Sequence, residues 1–174
     1  MREPADRYAS VAILLHWLIA GLLTGNIVIA LTMDSAALFQ THKSIGILVL
    51  LLTGVRLVWR LTHRWPALAA SLGAWERMAA RTTHFAFYVL LLAVPLLGWA
   101  AASTGRRGTG DLFGVIPWFD LPLGKSGELH DLTGEAHELA VYLTIALIVL
   151  HVAGALKHQF VDRDGTLRRM LPGR

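Results

Sequence analysis

The chain of 174 residues contains no cysteine, and only 16% of its residues are charged. The first absence excludes a disulfide-stapled secreted module and any thiolate metal centre. The second, beside a 55% hydrophobic content and a mean hydropathy of +0.53, excludes an ordinary soluble enzyme or a disordered tail. The formal net charge of +4 does not point to nucleic acid, because the arginines flank apolar runs and form no basic stripe along a polar helix. What remains is a protein whose solvent is lipid.

Four segments are long and apolar enough to cross a bilayer as helices, at about 20 residues each. They cover residues 10–33, 42–61, 82–104 and 136–158. Strands would be about half as long and would alternate in polarity. The first segment exceeds the usual apolar core of a signal peptide and has no clear small-x-small exit, so it reads as a retained span. The expected architecture is all-α: one four-helix transmembrane bundle over residues 1–174, with no internal repeat and no second domain. Arg2, Arg7, Arg60, Arg64, Arg77, Arg81, Lys157, Arg163, Arg168, Arg169 and Arg174 fall on one side, and Lys43, Arg106, Arg107 and Lys125 on the other. Eleven basic residues against four place both termini in the cytoplasm. Trp59, Trp65, Trp75, Trp99 and Trp118 lie at or just beyond span ends, where indoles favour the interface. The connections are a short outer turn at residues 34–40, an inner stretch with Trp65-Pro66, and a long outer loop over residues 105–131.

Eight histidines in so apolar a chain call for a function, since ionisable groups at membrane depth are costly. His137 and His151 are fourteen residues apart, which at about 100° and 1.5 Å per residue puts them on one helix face about 21 Å apart. That separation leaves room for two cofactors stacked along one bundle. Depth matching pairs His42 with His137 near the outer surface. Opposite His151 stand two candidates, His16 and His84. His16 lies nine residues past Arg7, about 13 Å of helix, and matches the depth of His151; His84, three residues past Arg81, falls at the interface with His158. Two imidazoles from different helices suit a low-spin b-type haem, saturated at iron and built for electron transfer. Covalent c-type attachment is excluded by the missing Cys-x-x-Cys-His, and a zinc site would need its ligands to converge at one level. Arg56, fourteen residues after His42, falls at the inner level on the same face and reads either as a partner for a haem propionate or as a snorkelling interfacial arginine. Gly46, Gly54 and the Gly21-x-x-x-Gly25 motif would admit a flat macrocycle or serve tight helix packing. His63 and His130 read as solvated loop residues.

The set of motifs resembles the bacterial cytochrome b561 family, in the branch that includes superoxide:ubiquinone oxidoreductases. The matching stretches are Leu15-His16-Trp17-Leu18, His42-Lys43-Ser44-Ile45-Gly46, Val55-Arg56-Leu57, His84 to Tyr88, Pro95-Leu96-Leu97-Gly98, His137-Glu138-Leu139-Ala140, Leu150 to His158 and Asp164 to Pro172. Only the long outer loop resists alignment. The resemblance implies two b haems, held by His16 with His151 and by His42 with His137. It also implies an inner-surface ubiquinone site that includes His84 and His158, protonatable groups suited to a carrier that takes up two protons per two electrons.

Three function classes follow. The first is an inner-membrane oxidoreductase that takes electrons from superoxide at the periplasmic face and delivers them through two haems to ubiquinone. The second is an accessory haem b anchor relaying electrons between quinone and a separate dehydrogenase or hydrogenase. The third is a haem-free four-helix scaffold or transporter. Superoxide can reduce a six-coordinate haem at its edge, and Lys43, next to His42, is the outer cation best placed to attract it. Against this, seven outer acids (Asp34, Asp111, Asp120, Glu128, Asp131, Glu135, Glu138) outnumber the four outer bases.

Overall fold

A computed structural model of the chain describes residues 7–64, 66–67 and 72–172. Arg2, Trp65 and Arg174, used above in the topology reading, lie outside the described residues. Four long helices follow one another: α1 (Ser10–Leu31), α2 (Ala36–Thr62), α3 (Ala74–Thr104) and α4 (Gly127–Lys157), and all are long and apolar enough to span a membrane. A single π-helical turn, His158–Asp162, and a short 3-10 turn, Leu167–Met170, end the chain.

Three of the helices begin well before the expected spans: α2 at Ala36 rather than residue 42, α3 at Ala74 rather than 82, and α4 at Gly127 rather than 136. Hydropathy marks the part of a helix that meets lipid, whereas the helix itself starts at its cap. Ser35 and Ser126 each accept the N–H of the residue three positions on, Leu38 and Leu129, a cap worth about 1 kcal/mol. At the start of α3 the Gly73 N–H donates to the Glu76 carboxylate. The outer loop therefore covers residues 105–126, and Glu128 and Asp131 stand on α4.

The bundle is apolar outside and partly polar within, as a lipid solvent dictates. Leu61 is 77% exposed and Phe85 70%, whereas Ser44 and Thr53 are fully buried. An apolar cluster of Ile19, Val49 and Leu91 joins α1, α2 and α3. Backbones pack closely between α1 and α2, α2 and α3, and α3 and α4, while α4 makes no comparable backbone contact with α1 or α2. The space on that side of α4 is where the histidines meet. One end of the bundle carries the α3–α4 loop; the other carries both described chain ends.

At the loop end, residues 105–126 fold down as a cap. Gln40 donates to the Asp111 carbonyl, Phe113 N–H to Ser44 Oγ at 2.8 Å, Leu121 N–H to Ser103 Oγ at 2.9 Å, and Trp99 Nε1 to the Phe119 carbonyl at 3.1 Å. Gly108, at φ +68°, is required here, since a Cβ would lie 2.7 Å from Asp120 Oδ2. At the opposite end Trp17 Nε1 donates to the Met170 carbonyl at 2.6 Å and Arg7 to that of Leu171, so the last described residues dock on the start of α1. Lys157 joins α4 to α3 through Glu76 at 2.8 Å.

Candidate functional site

Histidines from all four helices converge on two levels. At the loop-end level the rings of His42 and His137 lie 6.1 Å apart between centroids, with planes at 87°. At the other level His16 and His151 lie 6.3 Å apart, with planes at 74°. His84 also reaches this level, its ring centroid 5.9 Å from that of His151. His151 thus has two imidazole neighbours, and Phe87 packs against it edge-on at 5.3 Å.

The loop-end rings are held by their back nitrogens. His42 Nδ1 faces the Asn26 carbonyl at 3.4 Å, and His137 Nδ1 faces that of Val94 at 2.8 Å. A carbonyl only accepts, so each Nδ1 is the donor and each Nε2 is the nitrogen left for another partner. The Pro95-Leu96-Leu97-Gly98 stretch makes room for this contact. A side chain at Gly98 would begin 3.0 Å from His137 Cε1, so glycine lets the ring lie against α3 without being displaced. Asn26, Val94 and Gly98 had no assigned role in the sequence reading; their function depends on pairings between helices that no local pattern reveals.

A cavity of about 470 Å³ opens beside this pair, lined by Asn26, His42, Gly46, Gly98 and His137 among others. Asn26 Oδ1 is buried with no hydrogen-bond partner. A Cβ built at Gly21, Gly25 or Gly54 would meet nothing within 4 Å, and at Gly46 only the Asn26 amide at 3.9 Å. Within this chain these glycines seat no second helix closely, and of the four only Gly46 lines the cavity.

Arg56 donates to the Ala12 carbonyl at 2.7 Å, one turn from His16, which sets its guanidinium at the His16–His151 level. Nearby Arg60 lies over the Tyr88 ring at 5.5 Å. Lys43 donates to the Thr109 carbonyl at 2.6 Å and lies 5.1 Å from the Phe39 ring centroid. Lys125 pairs with Asp120 at 2.8 Å. Lys125 and then the Thr109 N–H hold the Asp120 carboxyl down at about 2. Two of the four outer cations are thus committed to the cap, while Arg106 and Arg107 are exposed.

His63 and His130 are more engaged than loop residues left to solvent. His63 stacks on Trp59 at 3.7 Å with planes 9° apart, and His130 Nδ1 donates to the Ala101 carbonyl at 2.7 Å, clamping α4 to α3. His158, expected near His84, has its Nδ1 at 2.9 Å from both Asp162 and Asp164.

Among known sequences, the prokaryotic cytochrome b561 family matches residues 7–173. The cytochrome b561 homolog 2 of Escherichia coli (strain K12) is 33% identical over 95% of this chain and 92% of its own length. The cytochrome b561 homolog 1 of the same organism is 32% identical over 78% of this chain and 75% of its own. A protein of Yersinia pestis named probable superoxide oxidase CybB is 29% identical over 75% of this chain and 73% of its own. A match over nearly all of the four-helix bundle is enough: the chain belongs to the prokaryotic cytochrome b561 family, multi-pass electron-transfer proteins of the bacterial inner membrane.

Proposed function

We propose that this protein is a di-haem b cytochrome that oxidises superoxide at the periplasmic loop end and reduces ubiquinone at the end carrying both termini, which faces the cytoplasm. The observation that carries the reading is the pair of opposed imidazoles at each of two levels. Two imidazoles that would share one metal ion, at about 2 Å per bond, need about 6 Å between ring centroids, and the two pairs stand at 6.1 and 6.3 Å. The donor set fits a bis-imidazole haem on three further counts. Backbone carbonyls that take up Nδ1 of His42 and His137, the cavity lined by Gly46 and Gly98 beside them, and the orphaned Asn26 Oδ1 on its wall all favour a planar group there. Haem b bound at each pair would supply the one-electron redox chemistry.

The chain's own residues have distinct tasks. His42, His137, His16 and His151 would hold the iron, and the Asn26 and Val94 carbonyls fix the loop-end rings and would raise their basicity. Arg56, with one donor on Ala12, has others left for a propionate. His84 and His158 would exchange protons with ubiquinone near the cytoplasmic surface. Lys43 would draw superoxide toward His42. The Yersinia pestis relative's name supports the choice of superoxide as donor. The commitment of Lys43 and Lys125 to the cap favours a second reading, a haem b anchor fed by a protein donor at the loop end.

Stopped-flow mixing of the oxidised, haem-loaded protein with superoxide separates the two. Fast appearance of a reduced b-type spectrum, followed by ubiquinone-dependent reoxidation, is the expected result. Haem that stays oxidised would leave the anchor reading in front.

A further inference from the structure

The end of α4 departs from regular helix in a way that gathers ligands. A π-helical turn at His158–Asp162 is followed by Arg163 at φ +53°, which turns the chain back and brings Asp164 against His158. His158 Nδ1 lies 2.9 Å from Asp162 Oδ2 and 2.9 Å from Asp164 Oδ2, and the three atoms fall within 4.8 Å of one another. Neither His158 Nδ1 nor Asp164 Oδ2 is in hydrogen-bond geometry with any partner, although both are buried. The Asp164 side chain is only 4% exposed. Its other oxygen accepts the Thr166 N–H at 2.9 Å, which fixes the carboxylate and aims Oδ2 at the cluster.

Distances and charge agree on what would satisfy these atoms. Donors 2.9 Å apart, each about 2 Å from a shared ion, subtend about 90° at it, the angle of a five-coordinate or octahedral shell rather than of the closed tetrahedron of a structural zinc site. The charges also leave room for a dication. Glu76, Asp162 and Asp164 supply three carboxylates, and Lys157, bonded to Glu76 at 2.8 Å and to Asp162 at 2.7 Å, neutralises one of them.

We propose that His158 Nδ1, Asp162 and Asp164 form a binding site for a divalent transition-metal ion, of the zinc class, with Lys157 as its competing cation. One imidazole with two carboxylates suits zinc better than magnesium or calcium, which prefer oxygen alone. The site is separate from the four paired histidines but shares His158 with the proposed ubiquinone site, so metal binding is read on its own and not through activity.

The test is a zinc titration of the tag-free, haem-loaded, chelator-stripped full chain in detergent, followed calorimetrically and by competition with a chromophoric chelator. One saturable equivalent is expected, undisturbed by excess Mg²⁺. Asp164→Asn and His158→Gln should each weaken it at least tenfold. Lys157→Gln should tighten it several-fold, because it removes the ammonium that competes for Asp162. Asp162→Asn, at a more exposed carboxylate, covers the case in which the buried Asp164 variant fails to fold. Zinc-edge X-ray absorption on the unmodified protein should show only nitrogen and oxygen ligands, with one imidazole. No saturable equivalent, parent-like affinity in the Asp162 and His158 variants, or no gain in Lys157→Gln would overturn the site.

Discussion

Gly98 lies where any side chain would press into the ring of His137, since a Cβ there would sit 3.0 Å from Cε1 and 3.1 Å from Nδ1. The contact separates helix stability from cofactor binding. Alanine is favoured over glycine by roughly 1 kcal/mol inside a helix, so Gly98→Ala should leave the apoprotein as stable or more so. The ring must nonetheless shift by a few tenths of an ångström, straining its bond to the Val94 carbonyl. We expect the haem-to-protein ratio to fall toward one, read by pyridine haemochrome assay, with thermal unfolding of the apoprotein unchanged or raised. A full complement of two haems in this variant would show that His137 is not held as a ligand against α3.

The two imidazole neighbours of His151 make the second test. Its ring centroid is 6.3 Å from His16 and 5.9 Å from His84, so spacing alone does not choose between them. The depth argument chooses His16. Replacing His16 or His151 by alanine should remove the haem of that level and leave one per chain, as should His42→Ala or His137→Ala at the other level. His84→Ala should retain two haems and slow ubiquinone reduction. Near-perpendicular ring planes, at 87° and 74°, also predict strongly anisotropic low-spin ferric signals in electron paramagnetic resonance. Loss of a haem in His84→Ala with retention in His16→Ala would exchange the two roles.

Much of this arrangement was legible in the chain because a helix converts spacing into direction. Fourteen residues between His137 and His151, and the sidedness of lysine and arginine, suffice to put four histidines at two levels. Helix starts were less legible, because hydropathy ends where lipid ends, while the caps Ser35 and Ser126 sit in polar sequence. Contacts between distant segments were not legible at all. His130 on the Ala101 carbonyl and Lys43 on that of Thr109 depend on how a long loop folds, which no period encodes. His158 and Asp162 had a visible signal in their four-residue spacing, but Asp164 joins them only through the π turn and the left-handed Arg163.

Orientation makes a third prediction. The described chain ends lie together, and eleven basic residues against four predict that this end faces the cytoplasm. A reporter active only in the periplasm, fused after Arg174, should be silent, and the same reporter inserted in the exposed segment at Arg106-Arg107 should be active. The reverse pattern would invert the bundle and put the proposed ubiquinone site on the periplasmic side.

The loop-end cap carries the last prediction, in which charge and pH act together. The Asp120 carboxyl is held down at about 2 by Lys125 and by the Thr109 N–H. A carboxyl depressed in the folded state contributes stability above its unfolded value, about 3.9. That contribution is lost as pH falls through the folded value. At neutral pH the clasp is therefore fully formed, and the protection of the Thr109 amide, after correction for the intrinsic pH dependence of exchange, should fall only in acid. Asp120→Asn removes the charge while keeping an acceptor for the Thr109 N–H, so it should release Lys125 and raise the outer charge by one. If superoxide is steered electrostatically, Asp120→Asn should speed haem reduction at low salt and Lys43→Gln should slow it, each by a few-fold. Both should converge on the parent rate once the Debye length shrinks to about 3 Å near 1 M salt. Rates equal to the parent in both variants at low salt would rule out steering by these groups. The exposed Arg106 and Arg107 would then be the remaining loop cations to examine.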